Sequence, residues 1–525
     1  MNQKKEISTL AGILRTHAAS RADGIALQFE DRSTTWRQWE QQCNRVAHAL
    51  LDMGLAFEDR VGYLGKNSDR FFHAFFGASM VGMVMVPINW RLTVEEIAFI
   101  LNDAECPILF LGEDYVHLAQ ALKQVCPKLR QIIGVAGAAA EVLALDDFVR
   151  NQPSTAPSHA CAPDDVALQL YTSGTTGLPK GAQLTHRNLL SAASLAATEL
   201  LGAWREDDVS VLPLPLFHAG GLVYGLNGPL TGGITRVVRE PNPALIIAAM
   251  RQHPAPVTRL GVVPAVMQAL LGHPEFDAAD FRGLRTLTYG GSPISPTVVR
   301  RATDVFGPVL MQLFGMTETC TMGTALLPSD HDPGRPERLG SCGRPLPGFE
   351  IRIAGMDSPQ APPGQSGEIL IRGPAVMKGY WHRPEASEQA LQDGWYHSGD
   401  VGYLDADGYL HIQDRLKDMI VSGGENVYPA EVERVMADHP EVADVAVFGV
   451  PDPKWGEAVK AAVVLKADSS LTEEALIAFA RGRLAGYKCP KTIDWVANIP
   501  RNATGKILKR VLRQPYWSDQ SRNVG

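Results

Sequence analysis

An apolar run, Val166-Ala-Leu-Gln-Leu170, passes directly into Tyr171-Thr-Ser-Gly-Thr-Thr-Gly-Leu-Pro-Lys-Gly181. A strand that breaks at once into a loop of glycines and hydroxyls is the tightest constraint in this chain. Thr172, Ser173, Thr175 and Thr176 supply hydroxyls, and Gly174 and Gly177 lie among them. Glycines let successive backbone N–H groups turn toward an anion, hydroxyls add donors, and Lys180 adds a point charge. This is phosphate-loop chemistry of a kind other than Walker A, because GxxxxGK[ST] is absent. A flexible Ser/Thr/Gly linker is the plain alternative. Linkers seldom follow a buried strand directly or end in Pro-Lys-Gly.

Around this loop the pattern alternates helix and strand. Trp36 to Met53 places Trp39, Cys43, Val46, Ala47 and Leu50 on one helical face. Val61-Gly-Tyr-Leu-Gly65 reads as a strand, Phe71 to Gly82 as a helix and Val84 to Ile88 as another strand. Strands separated by helices imply βαβ units and a largely parallel sheet. Asn151 to Pro163 is a Pro/Ser/Ala-rich loop.

Near residue 350 short alternating segments take over: Phe349 to Ile353, Gly367 to Gly373 and Gly408 to Gln413. They indicate a small β-rich subdomain of about 345–414. Asp405-Ala-Asp-Gly408 has a superficial likeness to a calcium loop, but the other ligand positions are missing and a hairpin turn explains it. A compact α+β unit follows. Pro429 suits a helix N1 position, Val442 to Val450 a strand, Thr472 a helix cap and Ile493 to Val496 a strand.

A chain of 525 residues exceeds what one core usually supports, so at least two domains are expected. The net charge of −8 argues against a nucleic-acid-binding surface. Seven cysteines stand singly with no CxxC pair, which suits a reducing cytoplasm and disfavours a zinc knuckle. The N-terminus carries charge with no apolar run behind it, so no secretory signal is expected. Phe71 to Trp90 and Val209 to Thr235 lack Asp, Glu, Lys and Arg, but their histidines, glycines and prolines mark buried segments with turns. No integral membrane segment is expected. Peripheral membrane contact leaves no mark in the sequence, and a homodimer is compatible with it.

The loop at 171–181 resembles the signature of the adenylate-forming superfamily of acyl-CoA synthetases, luciferase and peptide-synthetase adenylation domains. Further segments similar to that family's motifs follow in order. They are Leu214-Pro-Leu-Phe-His-Ala-Gly-Gly221, Tyr289-Gly-Gly-Ser-Pro293, Phe314-Gly-Met-Thr-Glu318 and Gly343-Arg-Pro-Leu-Pro-Gly348. Then come Trp395-Tyr-His-Ser-Gly-Asp400, Asp414-Arg-Leu-Lys-Asp418, Gly423-Gly-Glu-Asn426 and Pro500-Arg-Asn-Ala-Thr-Gly-Lys506. The resemblance spans nearly the whole chain. It implies an α/β adenylation domain over 1–414, a hinge at 415–418 around Lys417, and a small mobile α+β domain over 419–525.

Residue roles follow from the same resemblance. The loop from Thr172 to Gly177, with Lys180, would hold the phosphates of ATP. Thr172 and Glu318 would be Mg²⁺ ligands, since a hard cation wants oxygen donors. Gly290, Gly291 and Ser292 would lie flat against adenine with Phe314 stacked on the other side, and Gly315 and Thr317 belong to the same segment. The family often has Tyr at 314; Phe keeps the stacking. Asp400 would accept from the ribose hydroxyls, assisted by Arg415. Lys506 would bridge the substrate carboxylate and the α-phosphate as pyrophosphate leaves. His218 would stand near the acid's carboxylate. Gly423 and Gly424 would line the approach of coenzyme A.

Amino-acid-activating relatives usually carry an aspartate near 217–218, to pair with the α-amino group. Phe217 and His218 stand there instead. The expected substrate is a small-molecule carboxylic acid without that amine, fatty or aryl, and the expected acceptor is coenzyme A. The rival readings are an adenylate-former with another acceptor and a non-enzymatic nucleotide or acyl sensor.

Overall fold

The computed structural model describes residues 7–172, 178–195, 198, 202–252, 255–292, 294, 296–332, 334–335, 337–355, 360–415, 418–422, 425–501 and 507–517. The chain forms two compact units, 1–351 with 371–396 and 352–370 with 397–525.

Local signals set the first unit's elements. Thr35 caps the helix Trp36–Asp52 in a reciprocal box with Gln38, and that helix buries Trp36, Trp39, Cys43, Val46 and Leu50. Ser68 caps the helix Asp69–Met80, in which every residue but Arg70 is buried. That is why Phe71 to Gly82 carries no charge. The strand Val84–Ile88 is buried throughout, as a central parallel strand should be. Among the described residues no helix is long and apolar enough to cross a membrane.

Two large sheets result. One has eight strands in the order Gly379–Tyr380, Lys180–Thr185, Val166–Thr172, Val84–Ile88, Arg60–Leu64, Ile108–Leu111, Gln131–Gly134, Val142–Ala144. Val166–Thr172 and the strands beyond it run parallel, while Lys180–Thr185 and Gly379–Tyr380 add antiparallel at one edge. The other sheet has nine strands. At its centre Leu310–Phe314, Thr286–Gly290, Arg259–Val262, Val209–Leu212, Ile234–Val237 and Ile25–Phe29 are parallel.

In the second unit Val442–Asp452 pairs antiparallel with Gly456–Leu465, which also carries Thr492–Trp495 in parallel. The long strand alternates its burial. Val445 and Val447 join the core under the helices Pro429–Ala437 and Glu473–Arg481, while Ala446 and Phe448 join a second cluster with Ile499 and Leu512. Thr472 caps its helix by accepting from the Ala475 N–H. Asp405 to Gly408 is a hairpin turn: Asp405 Oδ1 accepts from the N–H groups of Asp407 and Tyr409, and Gly408 has φ +81°.

Candidate active site

Parallel sheets gather ligand-binding loops at the carboxyl ends of their strands. In the nine-stranded sheet, the segment containing His218 follows Val209–Leu212, Gly291-Ser292 follows Thr286–Gly290, and Gly315 to Glu318 follows Leu310–Phe314. These three strands run in the same direction, so the three segments leave one edge.

Glu318 is 7% exposed. It sits in a short 3-10 turn, Thr317–Thr319, followed by Cys320 and Thr321 with φ of 48° and 64°. Left-handed backbone at a β-branched threonine is costly and persists only where the surroundings impose it. Here the N–H groups of Thr319 and Thr321 both donate to the Met316 carbonyl, and the Met377 N–H donates to the Glu318 carbonyl at 2.7 Å. A Cβ on Gly315 would lie 2.3 Å from the backbone of Thr321, so this turn also dictates that glycine.

The Glu318 side chain meets two hydroxyls. Thr172 Oγ1 donates to Oε1 at 3.3 Å, and the Tyr380 hydroxyl donates to the same oxygen at 2.8 Å. Thr172 closes the strand Val166–Thr172 and pairs in register with Lys180. Lys180 Nζ lies 5.5 Å from the centre of the Tyr380 ring. The structure therefore brings Thr172, Lys180 and Glu318 together around Tyr380, a residue the sequence reading did not single out. Ser173, Gly174, Thr175, Thr176 and Gly177 lie outside the described residues.

The glycine pair has two separate causes. A Cβ on Gly290 would lie 2.3 Å from the Leu313 carbonyl oxygen, so its glycine serves the close approach of the neighbouring strand. Gly291 has φ +83° with open space where a Cβ would point. Only this second glycine matches a surface left clear for a flat ligand. Ser292 and Phe314 are both half-buried, and Phe314 pairs with Thr324. Beneath them the Tyr289 hydroxyl bonds His331 Nε2 at 2.8 Å, and His331 Nδ1 bonds the Leu327 carbonyl at 2.7 Å. Nδ1 therefore carries the proton and Nε2 accepts from Tyr289. Burial lowers the His331 pKa and keeps the ring neutral.

His218 occupies the N-cap position of the helix Ala219–Thr231 in extended backbone. A Cβ on Gly221 would lie 2.2 Å from the Pro215 carbonyl oxygen, so the glycine lets this helix start pack onto the proline turn. The His218 ring lies 4.4 Å from that of Phe217, which stands edge-on to Trp90 at 6.1 Å. An aromatic wall beside an imidazole is the surrounding expected for an apolar acid.

The remaining expected residues belong to the second unit. Asp400 is buried, its N–H donates to Ser398 Oγ, and its strand pairs it in register with Arg415. Glu368 holds this strand by accepting from the Gly399 N–H and bonding His397 Nδ1, each at 3.0 Å. Lys417, Gly423, Gly424 and Lys506 lie outside the described residues. Of the flanking residues, Arg501 bridges Ile507 in antiparallel pairing, the Leu508 N–H donates to the Pro500 carbonyl, and Arg501 pairs with Asp444 at 2.8 Å.

A cavity of about 380 Å³ lies elsewhere in the first unit, lined by Arg32, Lys66, Arg70 and Arg239 among others. Its cations already face carboxylates, Arg239 with Glu30 and Glu113, Arg32 with Asp69, Lys66 with Glu240 and Arg70 with Asp146. We read it as an ion-paired seam.

Loops leaving one edge of a parallel sheet, with a hydroxyl, a buried carboxylate and a lysine at the end of a glycine-rich loop, define a nucleotide-handling α/β enzyme. The chain belongs to the AMP-binding enzyme family: the profile of that family matches residues 14–381, and that of the AMP-binding enzyme C-terminal domain matches residues 431–506. It is 38% identical to the fatty acid–[acyl-carrier-protein] ligase ScoC of Streptomyces coeruleorubidus, over 99% of this chain and 98% of the relative. It is 39% identical to a feruloyl-CoA synthase of an Amycolatopsis species, over 94% of this chain and 96% of the relative. Among solved structures, o-succinylbenzoate CoA synthetase (MenE) of Bacillus subtilis, in complex with its acyl-adenylate intermediate, superposes with a TM-score of 0.83. The two are 31% identical, with 95% of this chain and 97% of that one covered.

Proposed function

We propose that the protein is an ATP-dependent acid–CoA ligase acting in two steps. First, a carboxylate oxygen of the acid attacks the α-phosphorus of ATP, the bond to the β-phosphate oxygen breaks, and acyl-AMP and pyrophosphate form. Second, the sulfur of coenzyme A attacks the acyl carbonyl, AMP leaves with the bonding electron pair, and the thiol proton is released. The observation that carries this reading is the meeting of Thr172 and Glu318 where the phosphate loop begins.

The donor set fits Mg²⁺. Thr172 and Glu318 offer oxygens only, and among the described residues no cationic side chain pairs with Glu318 and no group of three or more His, Cys, Asp and Glu could hold a metal. Two protein oxygens suit a cation that keeps waters and takes its other ligands from phosphates. Bound there, Mg²⁺ would neutralise phosphate charge. Ser173 to Gly177 and Lys180 would cradle the phosphates, Gly291 and Phe314 would flank the adenine, and Asp400 with Arg415 would hold the ribose. Lys506 would offset the repulsion between carboxylate and α-phosphate. His218 would orient the acid, which Phe217 and Trp90 mark as apolar, fatty or aryl. Gly423 and Gly424 would admit the thiol once the C-terminal domain has turned about Lys417. The seven free cysteines, most of them buried, suit a cytoplasmic enzyme. A homodimer would be read by light scattering.

A second acceptor class is favoured by one observation, the full-length similarity to an acyl-carrier-protein ligase. Pyrophosphate release is to be measured with fatty, aryl and phenylpropanoid acids, and AMP release with coenzyme A against a holo carrier protein. Absence of pyrophosphate with every acid would sink the ligase reading, and turnover only with the carrier would replace the acceptor. Lys506→Ala should lower adenylation about 10²–10³-fold while sparing thioester formation from acyl-AMP. Lys417→Pro should do the reverse, because proline fixes φ and removes backbone freedom at the hinge.

A further inference from the structure

Tyr380 reaches the phosphate end of the site from far along the chain, and its placement is over-determined. Its strand, Gly379–Tyr380, pairs antiparallel with Lys180–Thr185, Tyr380 opposite Ala182. On either side the Lys378 N–H donates to the Gln183 carbonyl and the Trp381 N–H to the Gly181 carbonyl, at 2.9 and 2.8 Å. Asn188 Nδ2 holds the approach by donating to the carbonyls of Pro374 and Val376. The Tyr380 N–H donates to Ser387 Oγ at 2.9 Å. The same segment grips Glu318 twice, through the Met377 N–H on its carbonyl and through the Tyr380 hydroxyl on its carboxylate.

We infer that the Tyr380 hydroxyl positions the Glu318 carboxylate, turning one oxygen inward and leaving the other for the cation of a metal–nucleotide complex. Both hydroxyl donors use Oε1: Tyr380 at 2.8 Å and Thr172 at 3.3 Å. Thr172 also has lone pairs to offer a cation, whereas Tyr380 approaches only as donor in this arrangement. The shorter bond therefore fixes the carboxylate plane, and Thr172 remains divided between Glu318 and the metal. A second-layer partner of a metal-binding carboxylate characteristically sets its orientation, and its loss costs roughly 10–100-fold in metal affinity. Tyr380 is thus a positioning residue. The inference rests on the nucleotide reading of this site.

The test separates the hydroxyl from the ring. Tyr380→Phe keeps the ring under Lys180 and removes only the donor. Binding of Mn²⁺ together with a non-hydrolysable ATP analogue is measured by electron paramagnetic resonance, without any acid, on wild type, Tyr380→Phe, Glu318→Gln and the double variant. We expect Tyr380→Phe to weaken Mn²⁺–nucleotide binding about tenfold with an unchanged melting temperature. In the Glu318→Gln background it should add almost nothing, because the group it orients is gone. Where turnover is measured, the loss should fall on KM for metal–ATP and leave kcat within a few-fold. Wild-type binding by Tyr380→Phe, or additive losses in the double variant, would overturn the inference and leave Tyr380 a packing residue. If the wild type itself binds no Mn²⁺–nucleotide, the nucleotide reading falls, and this inference with it.

Discussion

Glu318 in the first unit and Glu433 in the second are both largely buried glutamates, 7% exposed as a residue and 17% at the side chain respectively. Their neutralisation differs. Glu433 accepts from the Val447 N–H at 2.7 Å and pairs with Lys509 Nζ at 2.9 Å, and Lys509 also faces Asp414 at 3.9 Å. Burial pushes the Glu433 pKa up, against the pull of Lys509 and the Val447 N–H. Burial pushes Lys509 down, but Glu433, Asp414 and Asp418 outweigh it and its pKa is raised. Glu318 has hydroxyl donors and, among the described residues, no cationic partner. One carboxylate is closed by a cation from its own chain; the other meets two hydroxyl donors and, among the described residues, no such cation. A buried carboxylate without an internal counter-charge is a mark of a binding site, whereas the paired one marks a joint between elements, here the helix Lys509–Trp517 with Pro429–Ala437.

The sharpest way to break this contrast is Glu318→Gln. The amide oxygen can still accept from Thr172 and Tyr380, so unfolding should shift by less than about 1 kcal/mol. Metal–nucleotide binding should fall roughly 100-fold or more, since the proposed charged ligand itself is lost. A large melting shift with intact nucleotide binding would make Glu318 a structural residue like Glu433.

Lys509→Met should behave in the opposite way. It strands Glu433 without its cation and should cost the second unit about 2–3 kcal/mol. That lies below the usual cost of breaking a fully buried pair, because Glu433 keeps some solvent contact. Amide hydrogen exchange along Val442–Asp452 would read it. The double variant Lys509→Met/Glu433→Leu should recover much of the loss. No recovery would show that the pair also acts through its geometry.

Two histidines add a third way of burying an ionisable group, one that shows only as pH falls. His73 and His186, both in the first unit, have pKa values lowered to about 4. Burial is the main cause in both; Asp69 and Asp146 oppose it at His73, where Arg70 and Arg32 reinforce it, and Asp165 opposes it at His186. Among the described residues, neither ring nitrogen of His73 has a hydrogen-bond partner. The folded state prefers the neutral rings, so this stability is present above pH 6.5 and is lost as pH falls from 6.5 toward 4. The slope should be about 1.4 kcal/mol per pH unit for each histidine. His73→Phe should remove one of the two slopes in urea unfolding of the first unit at pH 4.5–7, and an unaltered slope would place the acid sensitivity elsewhere.

Features that neighbours along one element can encode were legible in the chain alone. The helix Trp36–Asp52 and the strand Val84–Ile88 follow from periodicity and capping, and the order of short motifs identified the family because each motif is a local turn or loop. Thr172, Glu318 and His218 were legible as candidates for the same reason, their chemistry lying within a few residues of their punctuation. Which of these residues meet depends on how distant segments pack. Tyr380 reaches Glu318 across 62 residues, through an edge strand of two residues that has no periodicity to read. Gly290 was expected beside a ligand, and the fold adds a separate demand for glycine there, the close Leu313 carbonyl of the adjacent strand. Glu433 and Glu318 are the same residue type, one inside the helix Pro429–Ala437 and the other in the turn Thr317–Thr319. Whether a lysine or a pair of hydroxyls stands opposite depends on which strand ends and helix starts the sheets bring together, and side-chain spacing along one element carries no record of that.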